Sequence, residues 1–282
     1  MAEITAKTVR DLREQSGAGM MACKKALTAT NGDVQAAFDH LRKQGLKAAE
    51  KKAGRDTAEG RAVAASAPGG RRGALVAVSC ETDFVAKTPQ FEAFMGSLAG
   101  HVLEHGQADP DGLAGQAWSG DEATVGDALK ALVGQLGENI QMAGAICYDN
   151  PDGYAVSYVH HDQKKAAIVS VTTSADADKA EAMLRDLCMH IVVFNPTAKD
   201  RDSISAEQVE RERAIYLSEV ENKPAEIQEK IVSGKLDKFF AGTVVSEQPW
   251  VKDDKISVQK ALEQALGAGT KIVDFARLDV GS

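Results

Sequence analysis

One arrangement occurs twice in this chain and restricts its possible folds more than any other feature: a short apolar, β-branched run followed by a helical stripe. The first run is Gly73-Ala74-Leu75-Val76-Ala77-Val78-Ser79-Cys80, bounded by glycine and by Glu81-Thr82-Asp83, which predicts a buried strand. From Pro89 onward Phe91, Phe94, Met95, Leu98 and Val102 fall at helical spacing, a stripe suited to covering one face of a sheet. The pattern returns as a strand over 166–171 and a helix over 180–193, with Met183, Leu187 and Ile191 on one side. His101 and His190 each stand late in their helix. A helical region over 125–137 precedes a strand over 140–148, and a short helix over 257–266 precedes a closing strand over 271–280. Two such units predict two related α/β subdomains rather than one continuous sheet.

Before them, Val9 and Leu12, then Met20, Met21, Ala26 and Leu27, then Val34, Ala37, Phe38 and Leu41 recur at helical spacing. They predict a three-helix (UBA-like) unit with joints at Ser16-Gly17-Ala18-Gly19 and at Thr30-Asn31-Gly32-Asp33, Asp33 capping the third helix. The polar stretch that follows reads as a linker or a solvated helix. Ser205-Ala206-Glu207-Gln208 resembles a capping box and Pro224 breaks a helix, so 205–234 reads as a charged helical hairpin suited to partner contact or self-association. The expected architecture is α+β: residues 1–54 a helical unit, 55–72 a linker, 73–155 one core subdomain, and 156–282 the other with the hairpin inserted.

At 282 residues the chain exceeds what one hydrophobic core usually holds. Its 44% hydrophobic and 26% charged residues are those of a folded globular protein, not a disordered one. No apolar run of 18 residues occurs, and the first residues read as an amphipathic helix rather than a secretory signal, so a cytoplasmic location with no membrane partner is expected. Cys23, Cys80, Cys147 and Cys188 form no CxxC pair, which points to reduced core residues rather than zinc ligands or a disulfide framework. Residues 1–72 carry 14 Lys and Arg against eight Asp and Glu, hence +6 against -14 for the remainder of a chain of net charge -8. That asymmetry keeps a nucleic-acid-binding rival open, but the stretch holds a single aromatic, Phe38, and so lacks a stacking platform.

Phosphate-loop, dinucleotide, nucleophile-elbow and HExxH patterns are all missing, so no enzyme, cofactor or metal site is indicated. The nearest candidate for acid/base or metal chemistry is His160-His161-Asp162. Adjacent residues on a strand point to opposite faces, which argues against joint ligation. The informative string is Cys80-Glu81-Thr82-Asp83-Phe84-Val85-Ala86-Lys87, at a strand's end where loops carry function. Taken alone, it admits Phe84 either as a core aromatic with Asp83 capping a helix, or as the tip of a projecting wedge.

The motifs resemble the elongation factor Ts family. Gly17-Ala18-Gly19-Met20-Met21-Ala22-Cys23-Lys24-Lys25-Ala26-Leu27 and Asn31-Gly32-Asp33 are similar to the family's N-terminal unit, and Thr82-Asp83-Phe84-Val85-Ala86 is similar to its signature loop. Gly137-Glu138-Asn139-Ile140, Tyr158-Val159-His160, Met189-His190-Ile191, and Lys238-Phe239-Phe240 running into Gln248-Pro249-Trp250-Val251 extend the likeness, in order, over nearly the whole chain. The resemblance implies a non-enzymatic guanine-nucleotide exchange factor of translation elongation, without cofactor or direct nucleic-acid contact. Its partner would be the GTPase elongation factor Tu. It implies docking through Met20, Met21 and Lys24, intrusion of Thr82, Asp83, Phe84 and Val85 near the nucleotide's Mg²⁺, and flanking contacts near His160, Met189 and His190. It also leaves room for a homodimer within a two-to-two complex. Two departures bear on this: His161-Asp162-Gln163-Lys164-Lys165 stands where many members are glycine-rich, and some relatives continue past the final strand with a helix that reaches the partner.

Overall fold

A computed structural model describes residues 4–106, 109–118 and 123–281. Its first unit is three helices, α1 (Ala6–Ser16), α2 (Met20–Ala29) and α3 (Val34–Lys52). The Thr5 hydroxyl caps α1, and Gly17 closes it at φ 64°, a left-handed conformation open to glycine. Asp33 caps α3 by accepting the Ala36 N–H at 2.9 Å, as the sequence suggests. Val9, Leu12, Cys23, Ala26, Leu27 and Ala37 form the unit's small core.

The first core subdomain is a three-stranded antiparallel sheet in the order β1-β2-β3, from β1 (Glu59–Ser66), β2 (Arg72–Cys80) and β3 (Ile140–Asp149). Between β2 and β3 run α4 (Asp83–Ala86), α5 (Pro89–His105), α6 (Pro110–Ala114) and α7 (Val125–Leu136). The second repeats the plan with β4 (Gly153–Val159), β5 (Lys165–Thr172), α8 (Ala177–Phe194), the hairpin α9 (Ala206–Ser218) and α10 (Ala225–Thr243), a ribbon β6 (Pro249–Trp250) and β7 (Asp253–Ser257), α11 (Val258–Leu266) and β8 (Lys271–Asp279). Its main sheet order is β4-β5-β8, again antiparallel.

The duplication extends to detail. The central strand slips register at Ala77/Val78 in one sheet and at Ser170/Val171 in the other. A Cβ added at Gly60 would fall 2.1 Å from the Val78 carbonyl oxygen, and one at Gly153 would fall 2.0 Å from that of Val171. On α5, His101 meets the Gln116 side chain at 2.9 Å and lies beside Trp118. On α8, His190 meets the Gln248 side chain at 2.9 Å and stacks on Trp250. Two Gln-x-Trp segments thus hold two helix histidines in the same way.

Alternation along the central strands explains why both read as unbroken apolar runs. Ala74, Val76 and Val78 face α5, whereas Leu75 and Ala77 face the other sheet. In β5, Ala167, Val169 and Val171 face α8, while Ala166 and Ile168 meet Leu75 and Ala77. The layers are helix, sheet, sheet, helix, and a strand buried on both faces loses polar alternation.

Three sequence expectations are corrected here. The stretch read as a linker, 55–72, contains a strand, β1, paired along its length with β2. The helical hairpin does not stop at 234, because α10 runs on to Thr243 and roots in a cluster of Ala198, Ile204, Phe240 and Val244. His160, His161 and Asp162 lie in the turn after β4, not on a strand, and the two rings come within 4.2 Å instead of diverging. In that turn Gln163 sits at φ 58°, where a side chain costs roughly 1–2 kcal/mol. Gln163→Gly is therefore expected to raise stability by about 1 kcal/mol at most, since glycine's unfolded-state entropy offsets part of the relief. Urea unfolding should show a higher midpoint with an unchanged slope.

Candidate functional site

The stretch after β2 is built as a rooted, projecting turn. Thr82 caps α4, its hydroxyl accepting the Val85 N–H at 3.4 Å. Asp83, for which a capping role was one reading, instead pairs with Lys87 at 2.6 Å, and that bond is the main reason its carboxyl titrates below the usual range. Val85 and Ala86 are buried in the first subdomain's core, so the single turn has a fixed root. Phe84, on the opposite side, is 80% exposed. The core reading of Phe84 is thereby excluded. The ring is left in water on a braced turn, where it is open to be covered by another surface.

The brace comes from several directions. Glu138 accepts the Thr82 N–H at 3.0 Å and the Thr82 hydroxyl at 2.6 Å. The Cys80 thiol donates to the Thr82 carbonyl at 3.1 Å, and burial, aided by the Glu138 charge, pushes that thiol up to about 11, so it keeps its proton. Glu81 accepts the Asn139 N–H at 2.6 Å and lies 3.3 Å from Arg55. Its carboxyl is held below the usual range, chiefly by the Asn139 bond.

Beside α4, Glu59, Gly60, Arg61, Asp83, Ala86, Lys87 and residues 161–164 line a hollow of about 420 Å³. The turn carrying His160 is thus brought next to the Thr82–Val85 turn. His160 is half-buried, its Nδ1 3.1 Å from the Tyr158 hydroxyl. Asp162 serves the turn itself by accepting the N–H groups of Lys164 and Lys165. Among the described residues, no group of three or more His, Cys, Asp and Glu side chains is placed to hold a metal ion.

The remaining candidates separate into exposed and buried. Met20 and Met21, at 45% and 66% exposure, open α2 with Lys24 exposed one turn on. Met189 is half-buried. His190 is fully buried, packed between Phe194 and Trp250, and therefore cannot itself touch a partner in this fold. What that neighbourhood presents is Val193 and Phe194, at 60% and 47% exposure, residues the sequence reading missed although they follow the last member of the α8 stripe. Burial holds the His190 imidazole below the ordinary histidine value, against the opposing Gln248 bond. The unfolded chain binds a proton there near pH 6.5 and the folded one resists it. Stability is then expected to fall as pH drops below about 6.5. A His190→Gln variant, less stable overall, should give a flatter profile in urea unfolding between pH 7 and about pH 5.

Two comparisons bear on these residues. The family model described as "Elongation factor TS" matches residues 81–282. Curated proteins named "Elongation factor Ts" match throughout. That of Prosthecochloris aestuarii is 36% identical, with all of both chains covered. That of Thioalkalivibrio sulfidiphilus is 40% identical over 99% of this chain and 92% of its own. That of Gluconobacter oxydans is 41% identical over all of this chain and 93% of its own.

Proposed function

This chain belongs to the elongation factor Ts family, and from that premise we propose that it binds elongation factor Tu in its GDP form and speeds GDP release without covalent chemistry. The observation that carries the reading is Phe84, 80% exposed on a turn whose every flank is tied down. A GTPase grips its nucleotide through a backbone cradle around the phosphates and a Mg²⁺ bridging protein and phosphate oxygens. An aromatic wedge entering beside them disturbs both. Thr82, Asp83, Phe84 and Val85 form that wedge in this account, with Met20, Met21 and Lys24 docking the N-terminal unit.

Burying one Phe contributes roughly 1.5–3 kcal/mol, or one to two decades of affinity. Any larger effect must come from the rest of the interface. Coupling is reciprocal: if the factor weakens GDP binding, nucleotide weakens factor binding equally, so incoming GTP releases the factor. The cycle passes through a nucleotide-free complex as a population shift and needs no energy input. Asp83 pairs with Lys87 at 2.6 Å, and in this account its part is to shape the turn. The hairpin's exposed Ile215, Leu217 and Ile227 are the place where a homodimer or a second partner contact would form.

The test is release of fluorescent GDP from elongation factor Tu of the same organism, with and without this protein. Acceleration at catalytic concentrations is the expected result. No acceleration at any concentration would refute the exchange activity and leave binding to nucleic acid through the basic N-terminal unit as the next reading, measured by its salt dependence.

A further inference from the structure

The turn between α7 and β3 holds three parts of the molecule at once. Gly137 ends α7 at φ 81°, turning the chain so that the next two residues face in different directions. Glu138 takes both the N–H and the hydroxyl of Thr82. Asn139, 2% exposed, donates through its side chain to the Arg55 carbonyl at 2.7 Å and to that of Ala53 at 3.4 Å, just beyond the end of α3. Its own backbone N–H is taken by Glu81. Gln141, two residues on, adds a bond to the Ala53 carbonyl at 2.9 Å. The exit of the N-terminal unit, the root of the Phe84 turn and the core sheet therefore meet at one three-residue turn.

We propose that Gly137-Glu138-Asn139 is the positioning element of the exchange reaction. On this view it fixes where Phe84 stands relative to the N-terminal unit, and Glu138 acts on the partner only through Phe84. This rests on the exchange reading above. The physical reason is preorganisation: a wedge held in place before contact loses little conformational freedom on entering the GTPase, whereas a loose one must be ordered at the interface. Glu138 is well suited to this because one carboxylate meets two donors of a single residue, bonds stronger than neutral ones. With it removed, the Thr82 N–H and hydroxyl lose their acceptor, and the residue that caps α4 is no longer anchored.

The test uses the full chain as Glu138→Ala, Glu138→Gln, Phe84→Ala and the Glu138→Ala/Phe84→Ala double variant, in GDP release at saturating factor. In parallel, hydrogen exchange is followed at the Thr82 amide without the GTPase. Glu138→Ala is expected to slow release about tenfold and to strip protection from that amide. Glu138→Gln, which keeps one neutral acceptor oxygen where the carboxylate offers two, should restore part of both. The double variant should be no slower than Phe84→Ala alone, since two residues acting through one step do not add. The proposal is overturned by wild-type release in Glu138→Ala, by fully multiplicative losses in the double variant, or by unchanged protection. If Phe84→Ala alone releases GDP as wild type does, the wedge reading fails, and hydrogen exchange still decides whether Glu138 fixes the turn.

Discussion

Replacing Phe84 with alanine is expected to slow factor-stimulated GDP release by about ten- to a hundredfold while leaving thermal unfolding unchanged. Both halves follow from one fact, the 80% exposure of the ring. In the free protein the side chain buries little, so its truncation belongs with surface changes, typically within about 0.5 kcal/mol of neutral. In the complex the whole ring is available to be desolvated. Fluorescent GDP release at saturating variant, beside a thermal melt, checks both. A melt shifted well downward would mean that Phe84 packs in the fold after all, and unchanged release would remove it from the exchange step.

How far the sequence could be read depended on where each residue's environment comes from. The runs at Gly73 and Ala166 and the stripes after Pro89 and Ala180 carry their own periodicity, and the elements stand where the pattern puts them. Strand β1 carries no such signal. Glu59–Ser66 is mostly small residues, with Val63 its one β-branched apolar member, and it is a strand because the edge of β2 pairs with it, a tertiary effect that local propensity does not report. Phe84 posed a different problem. Nothing within its string says whether the ring points in or out, because the residue that holds the turn, Glu138, lies 56 positions beyond Thr82. His190 is internal although its motif resembles segments beside partner contacts, because a match in sequence order marks a neighbourhood, not a surface. The Gln-x-Trp segments at 116 and 248 were a readable sign that both late histidines are internal.

The two subdomains share a plan, and each departs from it. After β2 the first inserts the α4 turn that carries Phe84, while the equivalent stretch of the second runs from Thr172 straight to the Asp176 cap of α8. After α8 the second inserts the α9–α10 hairpin, where the first has, among the described residues, the short α6. Each addition carries exposed large apolar side chains, Phe84 in one and Ile215, Leu217 and Ile227 in the other, beside those that the shared helix α8 presents at Val193 and Phe194. The duplicated scaffold thus provides a rigid frame from which the added segments project, the arrangement in which loops can carry function.

The joint between the N-terminal unit and the core yields the second large effect, and it is asymmetric. Helices α3 and α7 cross where Gly45 meets Gly134. A Cβ added at Gly134 would lie 2.6 Å from the Gly45 Cα, whereas one added at Gly45 would lie 3.7 Å from the Gly134 Cα, ordinary contact. Within a helix, glycine to alanine gains about 1 kcal/mol when nothing intervenes, so Gly45→Ala is expected to stabilise. Gly134→Ala should instead cost about 1–3 kcal/mol, the penalty of overpacking against backbone that cannot rotate away. Because Leu132 and Val133 root α7 in the core, α3 is the helix that must move, carrying Met20, Met21 and Lys24 with it. The concentration of factor giving half-maximal GDP release should then rise about tenfold, while the rate at saturation, set by the core-borne Phe84, stays close to that of wild type. A saturating rate that falls together with affinity would mean that the N-terminal unit takes part in expelling the nucleotide as well as in docking.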